Sequence, residues 1–358
     1  MQNKVRQLDY HGHNIYVGLD THLRSWKVTI RVDQEYYKTF SQDPSPKILY
    51  NYLVRNFPNG TYFSAYEASF SGFTAHRELI NLGIKNIVVN PADIPTTDKD
   101  RKQKDDARDS RKIAEQLAGS NLKGIYVPSV EIESDRALLR YRRTQVKEIS
   151  RNKNRIKSFL YFHGITIPEQ FAGKSYWSKR FTKWLLEVEL PSQSMRTTLT
   201  EIIETVEFIR KSQYRLLRKI RLLSQTEKYK ANASFLISVP GVGLKTVMSF
   251  LTEVDDMKRF KNLDQLCSFV GLVPTTNSSG EKESVGNITK RQNKVLRSSI
   301  IESSWIAIRN DPALMLAYQK LTKRMEPTKA IIRIGKKLIN RMRYVLKNQT
   351  FYETAVVQ

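Results

Sequence analysis

From Leu199 onward, apolar side chains recur at Leu199, Ile202, Val206 and Ile209 and again at Leu216, Ile220 and Leu223, with polar Gln213 at the missing position. Steps of three and four put all of these on one helical face, and a seam sustained over several heptads has to be covered by another helix. A polar residue at one core position of such a seam typically fixes register or oligomer state. A weaker seam runs through Leu139, Val146, Ile149, Ile156 and Leu160, interrupted by Arg142 and Lys153. Two long helices pairing with each other, or with a second copy of the chain, would satisfy both seams. An ordinary helical hairpin inside one domain is the simpler alternative.

The first third has a different period. Residues 15 to 20 form a short apolar run ending in Asp20, and Trp26, Val28, Ile30 and Val32 alternate with polar residues, so both segments read as strands. A third strand is expected around Glu35 to Phe40, a helix from Pro46 to Phe57, and a strand from Tyr62 to Ala68. A helix from Gly72 to Leu82, a strand at Ile87 to Val89, a helix from Asp105 to Leu117 and a short strand at Ile125 to Val127 complete the expected order βββαβαβαβ. That order describes a mixed sheet flanked by helices. The last third reads as helical and basic.

Charge then narrows the class of partner. The 358 residues carry 60 Lys plus Arg against 35 Asp plus Glu, a formal net charge of +25. Such an excess repels itself in a compact chain and favours a polyanion, nucleic acid first. Its placement agrees. Arg140, Arg142, Arg143, Lys147, Arg151, Lys153, Arg155 and Lys157 face the single acid Glu148, and Arg210, Lys211, Arg215, Arg218, Lys219, Arg221, Lys228 and Lys230 face Glu227. Solvated helix faces usually mix the two signs, so one-sign stripes point to phosphate tracking. Cys267 has no partner cysteine, and no Cys/His cluster offers a zinc site. No apolar run is long enough to span a bilayer, and the first residues lack an apolar secretion segment, so a cytoplasmic, non-membrane protein is expected.

Acids fall at the ends of the expected elements. Asp20 closes the first strand, Glu67 lies in the fourth, and Asp106 and Asp109 stand three apart on one face of a later helix. Carboxylates converging from separate elements repel one another unless a hard cation sits among them, and Mg²⁺ or Mn²⁺ is the usual resolution. Singly, each acid reads first as a solvated surface residue or helix cap, and it is their joint placement that points to a metal. Asp98, Asp100 and Asp105 compete with Asp106 for such a role, and His22 and His76 read as structural or supporting groups because neither has a partner at metal-ligand spacing. The element order with these acids resembles the RNase H-like fold of nucleases, resolvases and transposases.

Two further patterns lie near the C-terminal end. Val239-Pro240-Gly241-Val242-Gly243-Leu244-Lys245-Thr246 is not a Walker A loop, because Leu244 stands where that motif needs Gly. It looks like a helix-hairpin-helix turn, in which glycines and the next helix's free amides approach a phosphate. A plain glycine turn between helices is the alternative. Gly271-Leu272-Val273-Pro274, Asn277-Ser278-Ser279-Gly280, Ile288-Thr289-Lys290-Arg291 and Leu296-Arg297 form the second pattern. Serines beside glycine in a polar stretch are ordinarily turn residues, and the linear sequence displays no group that would activate one.

Together these residues resemble the IS110-type insertion-sequence transposases, recombinases guided by a bridge RNA. The family's acidic tetrad looks like Asp20 in Val17-Gly18-Leu19-Asp20, Glu67 in Tyr66-Glu67-Ala68, and Asp106 with Asp109 in Asp106-Ala107-Arg108-Asp109-Ser110. Pro240-Gly241-Val242-Gly243, Gly271-Leu272-Val273-Pro274, Ser279-Gly280, Ile288-Thr289-Lys290 and Leu296-Arg297 look like its second domain. The resemblance implies Ser279 as nucleophile, with Ser278 the fallback, attacking a scissile phosphodiester beside a tetrad that binds Mg²⁺. It also implies donor and target double-stranded DNA and a guide RNA as partners, and assembly as a dimer or tetramer. Gln292 departs from the family, which commonly has Gly there, so the local loop geometry is in question.

The expected architecture is therefore an RNase H-like α/β domain at 1–130, a basic coiled-coil section at 131–232, and a mainly α-helical transposase domain with a helix-hairpin-helix-like turn at 233–358. The expected nucleic-acid contacts are Gly241, Gly243, Lys290, Arg291, Arg297, Arg142, Arg143 and Arg151. The rival enzyme is a metal-dependent nuclease or Holliday-junction resolvase using Asp20, Glu67, Asp106 and Asp109 without a serine. The non-enzyme rival is a nucleic-acid-binding scaffold.

Overall fold

Strand β1 (Asn14–Thr21) buries Ile15, Val17 and Leu19 completely, which is why it runs through the middle of a sheet. The computed structural model describes residues 9–95, 105–171, 177–279, 282–289 and 291–354, with backbone alone for 276–279 and 282–287. The chain divides into two units, Met1–Val127 and Pro128–Gln358.

In the first unit, β1 pairs antiparallel with β2 (Trp26–Val32), which pairs antiparallel with β3 (Glu35–Gln42). Helix α1 (Pro46–Asn56), capped by the Ser45 side chain, leads to β4 (Thr61–Glu67), which lies parallel to β1. Helix α2 (Thr74–Asn81) then leads to β5 (Lys85–Val89), parallel to β4. The sheet order is β3-β2-β1-β4-β5. The strand expected at Ile125 to Val127 does not form. Gly124 makes an isolated bridge to Val89 and Ile125 donates its amide to Val88 at 2.7 Å, after which Pro128 has no N–H to continue a ladder.

Helix α3 (Asp106–Ala118) crosses the sheet at β1 and β2 on a strip of small residues. A Cβ on Gly18 would lie 2.1 Å from the Ser110 carbonyl oxygen and 2.4 Å from the Ala114 nitrogen, so only glycine lets this helix sit so close. Buried Ser110 shares a 2.8 Å hydrogen bond with Thr29 on β2, and Asp105 caps the helix by accepting from the Ala107 amide.

The second unit begins with α4 (Val130–Phe162), followed by α5 (Lys179–Glu187) and α6 (Gln193–Ser224). Val146 and Leu217 line one cleft and Phe159 and Ile202 another, so α4 and α6 pack antiparallel within one chain. Ile149, Ile156 and Leu160 on α4 share a core with Leu199, Ile203 and Val206 on α6. The expected seam positions on α6 are thus buried or lie beside buried ones, whereas Val146 on α4 faces outward and Gln145 is buried instead.

A larger core joins α7 (Glu227–Ile237), α8 (Leu244–Val254) and α9 (Leu263–Val270) to α10 (Lys294–Asn310), α11 (Pro312–Thr322) and α12 (Pro327–Asn348). Between α9 and α10 stand β6 (Pro274–Ser279) and β7 (Lys282–Ile288), an antiparallel pair where only polar turn residues were expected. Thr275, Thr276, Ser278 and Ser279 lack the apolar alternation that marks a half-buried strand, so periodicity could not find it.

The Glu253 side chain, 4% exposed at the end of α8, is held by a bidentate pair with Arg140 of α4, both contacts 2.8 Å, and by the Asn293 amide at 2.9 Å. Asn293 in turn caps α10, accepting from the Val295 and Leu296 amides. Burial pushes the Glu253 carboxyl up, but the hydrogen bonds and charge of Arg140, with Asn293 and Arg136, outweigh it and hold the group below its usual range.

Gly18→Ala should cost about 1–3 kcal/mol of stability and strip hydrogen-exchange protection from 106–118, whereas a wild-type melting curve would remove the close contact from the account. Glu253→Ala should cost about 3–5 kcal/mol, because Arg140 and Asn293 lose their buried partner. A lowered folded-state pKa means that the stability supplied by Glu253 is complete above the ordinary carboxylate range and fades as pH falls through the folded value. Thermal melts should therefore show the variant and wild type converging in acid, and a difference that grows as pH falls would contradict this.

Candidate active site

Asp20 stands near the end of β1, which continues through Thr21, and His22 follows the strand. His22 Nε2 lies 3.1 Å from Asp20 Oδ2 and 3.5 Å from Asp106 Oδ2, so the imidazole bridges β1 and the first turn of α3. One ligand atom from each of Asp20, His22 and Asp106 lies within 4.8 Å of the other two. Their side chains are 22%, 46% and 48% exposed, so an ion or phosphate can reach them. Burial pushes the Asp20 carboxyl up, His22 draws it down, and the charges of Asp106 and Asp109 push it up again; the net shift is upward.

Glu67 closes β4 on the neighbouring strand. The register pairs Leu19 with Tyr66, which sets Glu67 beside Asp20 at the same rim of the sheet. Asp109 follows Asp106 one turn along α3 and contributes to the field at Asp20. Asp20 and Asp106 are therefore brought together, and Glu67 and Asp109 border them without joining the closest group. His22 joins it, although its sequence neighbours show no ligand spacing; the only sequence signal is an imidazole two residues beyond a strand-terminal acid. Of the competing acids, Asp105 is a helix cap, while Asp98 and Asp100 lie outside the described residues. His76 is structural, with Nδ1 2.7 Å from Asn86 Oδ1. Two carboxylates and an imidazole can hold a divalent cation, the oxygens suiting a hard ion and the nitrogen a first-row transition metal.

In the second unit, Ser279 is the last residue of β6 and pairs with Lys282, with Ser278 opposite Glu283. The base of this strand pair is tied down from several directions. The Thr289 amide donates to Val273 at 3.0 Å, the Asn293 amide to Phe269 at 3.1 Å, and the Arg297 guanidinium to the Thr289 carbonyl at 2.8 Å. Gly271 is left-handed at φ +84°, and a Cβ there would lie 2.3 Å from the Gln292 Cβ. Gln292 thus sits directly on Gly271. Arg297 faces backbone carbonyls, and the Arg291 amide donates to Thr289 Oγ1 at 3.1 Å; Lys290 lies outside the described residues.

The turn between α7 and α8 treats its two glycines differently. Gly241, at φ +84°, abuts α10 so closely that a Cβ would lie 2.5 Å from the Ser303 carbonyl oxygen. Gly243 caps α8, and a Cβ there would meet nothing within 4 Å. On α4, Arg151 pairs with Glu148 at 2.5 Å, Arg142 and Arg143 are half-buried, and the outward face stays basic.

Two family models match the chain in sequence order. The model DEDD_Tnp_IS110, described as Transposase, matches residues 65–164, and the model described as Transposase IS116/IS110/IS902 family matches residues 233–319. Among similar proteins, y4qE of Sinorhizobium fredii, which bears a transposase name, is 31% identical over 68% of this chain and 58% of its own length. The transposase for insertion sequence element IS1111A of Coxiella burnetii is 27% identical over 66% of this chain and 63% of its own. The transposase for insertion sequence element IS1533 of Leptospira borgpetersenii is 29% identical over 55% of this chain and 56% of its own. The chain thus spans about three-fifths of the length of these curated relatives. With one family matching on both sides of the helical pair, the chain belongs to the IS110 family of insertion-sequence transposases.

Proposed function

We propose that the chain is a DNA transposase that cleaves and rejoins donor and target DNA through a phosphoserine intermediate, directed by a structured guide RNA and acting as a homo-oligomer. The observation that carries this reading is the convergence of Asp20, His22 and Asp106, with Glu67 and Asp109 beside them, in a chain of this family. Asp20 and Asp106 would hold Mg²⁺ or Mn²⁺, with His22 as a third donor or as the group that orients both carboxylates. Such an ion supplies charge stabilisation at a phosphate and its leaving oxygen.

Ser279 is the nucleophile in this reading. Its Oγ attacks the phosphorus of a scissile phosphodiester, an Oγ–P bond forms, and the P–O bond to one DNA end breaks. The serine proton goes to the leaving oxygen, which departs as a free hydroxyl. Attack by a hydroxyl of another strand then reverses these events, so bond energy is conserved and no ATP is needed. Support comes from the place of Ser279 at the end of β6, paired with Lys282 in a strand pair whose base is tied to α9 and α10. The basic faces of α4 and α6, with the glycine turn at Gly241 and Gly243, supply the surface for RNA and DNA. We read 131–232 as the helical section that carries this surface and 233–358 as the serine-bearing part.

Ser279→Ala should abolish covalent protein–DNA adducts and strand exchange while leaving DNA and RNA binding intact, read on denaturing gels with labelled DNA. Full recombination by that variant would contradict the serine mechanism, and metal-dependent nicking that survives it would favour the resolvase-like alternative. Asp106→Asn should lower strand cleavage by at least about a hundredfold, the scale of losing a charge-stabilising group. Undiminished cleavage in EDTA would contradict the metal site.

A further inference from the structure

The antiparallel pair α4 and α6 is interrupted halfway along by a cleft of about 350 Å³, lined by Arg142, Ser150, Lys153, Arg210, Gln213 and Tyr214 together with apolar side chains. No acid lines it. Two donors there are buried with no hydrogen-bond partner among the described residues, Arg142 Nε and the Gln213 amide nitrogen Nε2. Each such group costs about 1–3 kcal/mol when left unsatisfied, so a folded chain that retains both at one cleft calls for an acceptor.

The other two cations are held differently, Arg210 by an acid and Lys153 by an aromatic ring that leaves its charge over. Arg210 is oriented by Glu207 at 2.7 Å and the Trp177 carbonyl at 3.2 Å, and Lys153 Nζ stands 5.1 Å from the Trp177 ring centroid. Burial lowers the proton affinity of Arg142, and burial with the charges of Arg210 and Lys157 lowers that of Lys153. Burial disfavours both charges, neighbouring positive charge adds to it at Lys153, and the acid at hand, Glu207, is taken up by Arg210. Gln213 is also the one polar position in the α6 seam, where a leucine would pack better.

We infer that this cleft is a phosphate-binding site in which Arg142, Lys153 and Gln213 seat one backbone phosphate of a bound nucleic acid, with Arg210 completing the field. The phosphate oxygens accept from the two orphaned donors, and the anion offsets the charges of Arg142 and Lys153. The inference rests on the reading of the chain as a nucleic-acid enzyme but requires neither the serine step nor the metal.

The test uses the full chain with a 40-base-pair DNA duplex, a single-stranded RNA, and inorganic phosphate alone. Arg142→Gln and Lys153→Gln should each weaken binding of at least one nucleic acid about tenfold at low salt, and each should reduce the slope of log K against log salt by about one. Gln213→Leu removes no charge, yet by filling the cleft it should raise the melting temperature while lowering binding and slope in the same way. A merely structural Gln213 would not produce that opposite pair of changes. Arg142→Lys should restore the slope if the charge is what matters. Unchanged slopes in all three variants with both nucleic acids would overturn the proposal. If phosphate raises the melting temperature of wild type but not of Arg142→Gln while the slopes stay unchanged, the cleft takes free phosphate and the backbone assignment falls. A chain that binds normally but exchanges no strands would count against the transposase reading and leave this one standing.

Discussion

The candidate metal site depends on how closely α3 approaches β1. Gly18 has no side chain, and the Ser110 carbonyl oxygen and the Ala114 nitrogen occupy the space a methyl would need. At that separation, the first turn of α3 comes level with the end of β1 and brings Asp106 to His22 and Asp20. Move the helix outward by the width of a methyl group and the acids stay where they are in the sequence but lose one another in space. Ser110 and Thr29 hold the same packing from the next strand, so the small residues of α3 act as a spacer for the carboxylates at its start.

The second unit uses a different device. Its buried charge at Glu253 is fully partnered, and the partners come from α4 and from the cap of α10, so one carboxylate fixes three helices at once. The cap residue Asn293 also bonds back to Phe269, and Arg297 reaches the Thr289 carbonyl, which braces the strands leading to Ser279. The cleft between α4 and α6 is the opposite case: Arg142 Nε and the Gln213 amide nitrogen are buried there with no hydrogen-bond partner among the described residues. A buried charge with partners reads as architecture, and buried donors without them read as a place for a ligand.

Much of this was legible in the sequence, for reasons that can be named. The order of the first unit followed from alternation in β1 and β2 and from helical spacing afterwards, and Asp20 and Asp106 stood at element ends where side chains project past the sheet. The α6 seam was visible because a buried helical stripe repeats every three or four residues. Three features were not legible. His22 joins its carboxylates only through folding, since Asp106 lies far along the chain. The sequence of β6, Pro274 to Ser279, is polar throughout and leaves no periodic trace. Glu253 sits near the end of an apolar helix, and nothing local announces that Arg140 and Asn293 will satisfy it. Long-range pairing is the information that periodicity does not carry.

The central claim is that β1 and α3 together build a divalent-cation site from Asp20, His22 and Asp106. Titration of the protein with Mn²⁺, followed by the loss of the free-ion electron paramagnetic resonance signal, measures this without any assay of activity. One ion per chain should bind to the wild type, and that equivalent should disappear in the Asp20→Asn, Asp106→Asn double variant while its melting temperature stays near wild type. An unchanged stoichiometry and affinity in the double variant would place the ion elsewhere and contradict the account.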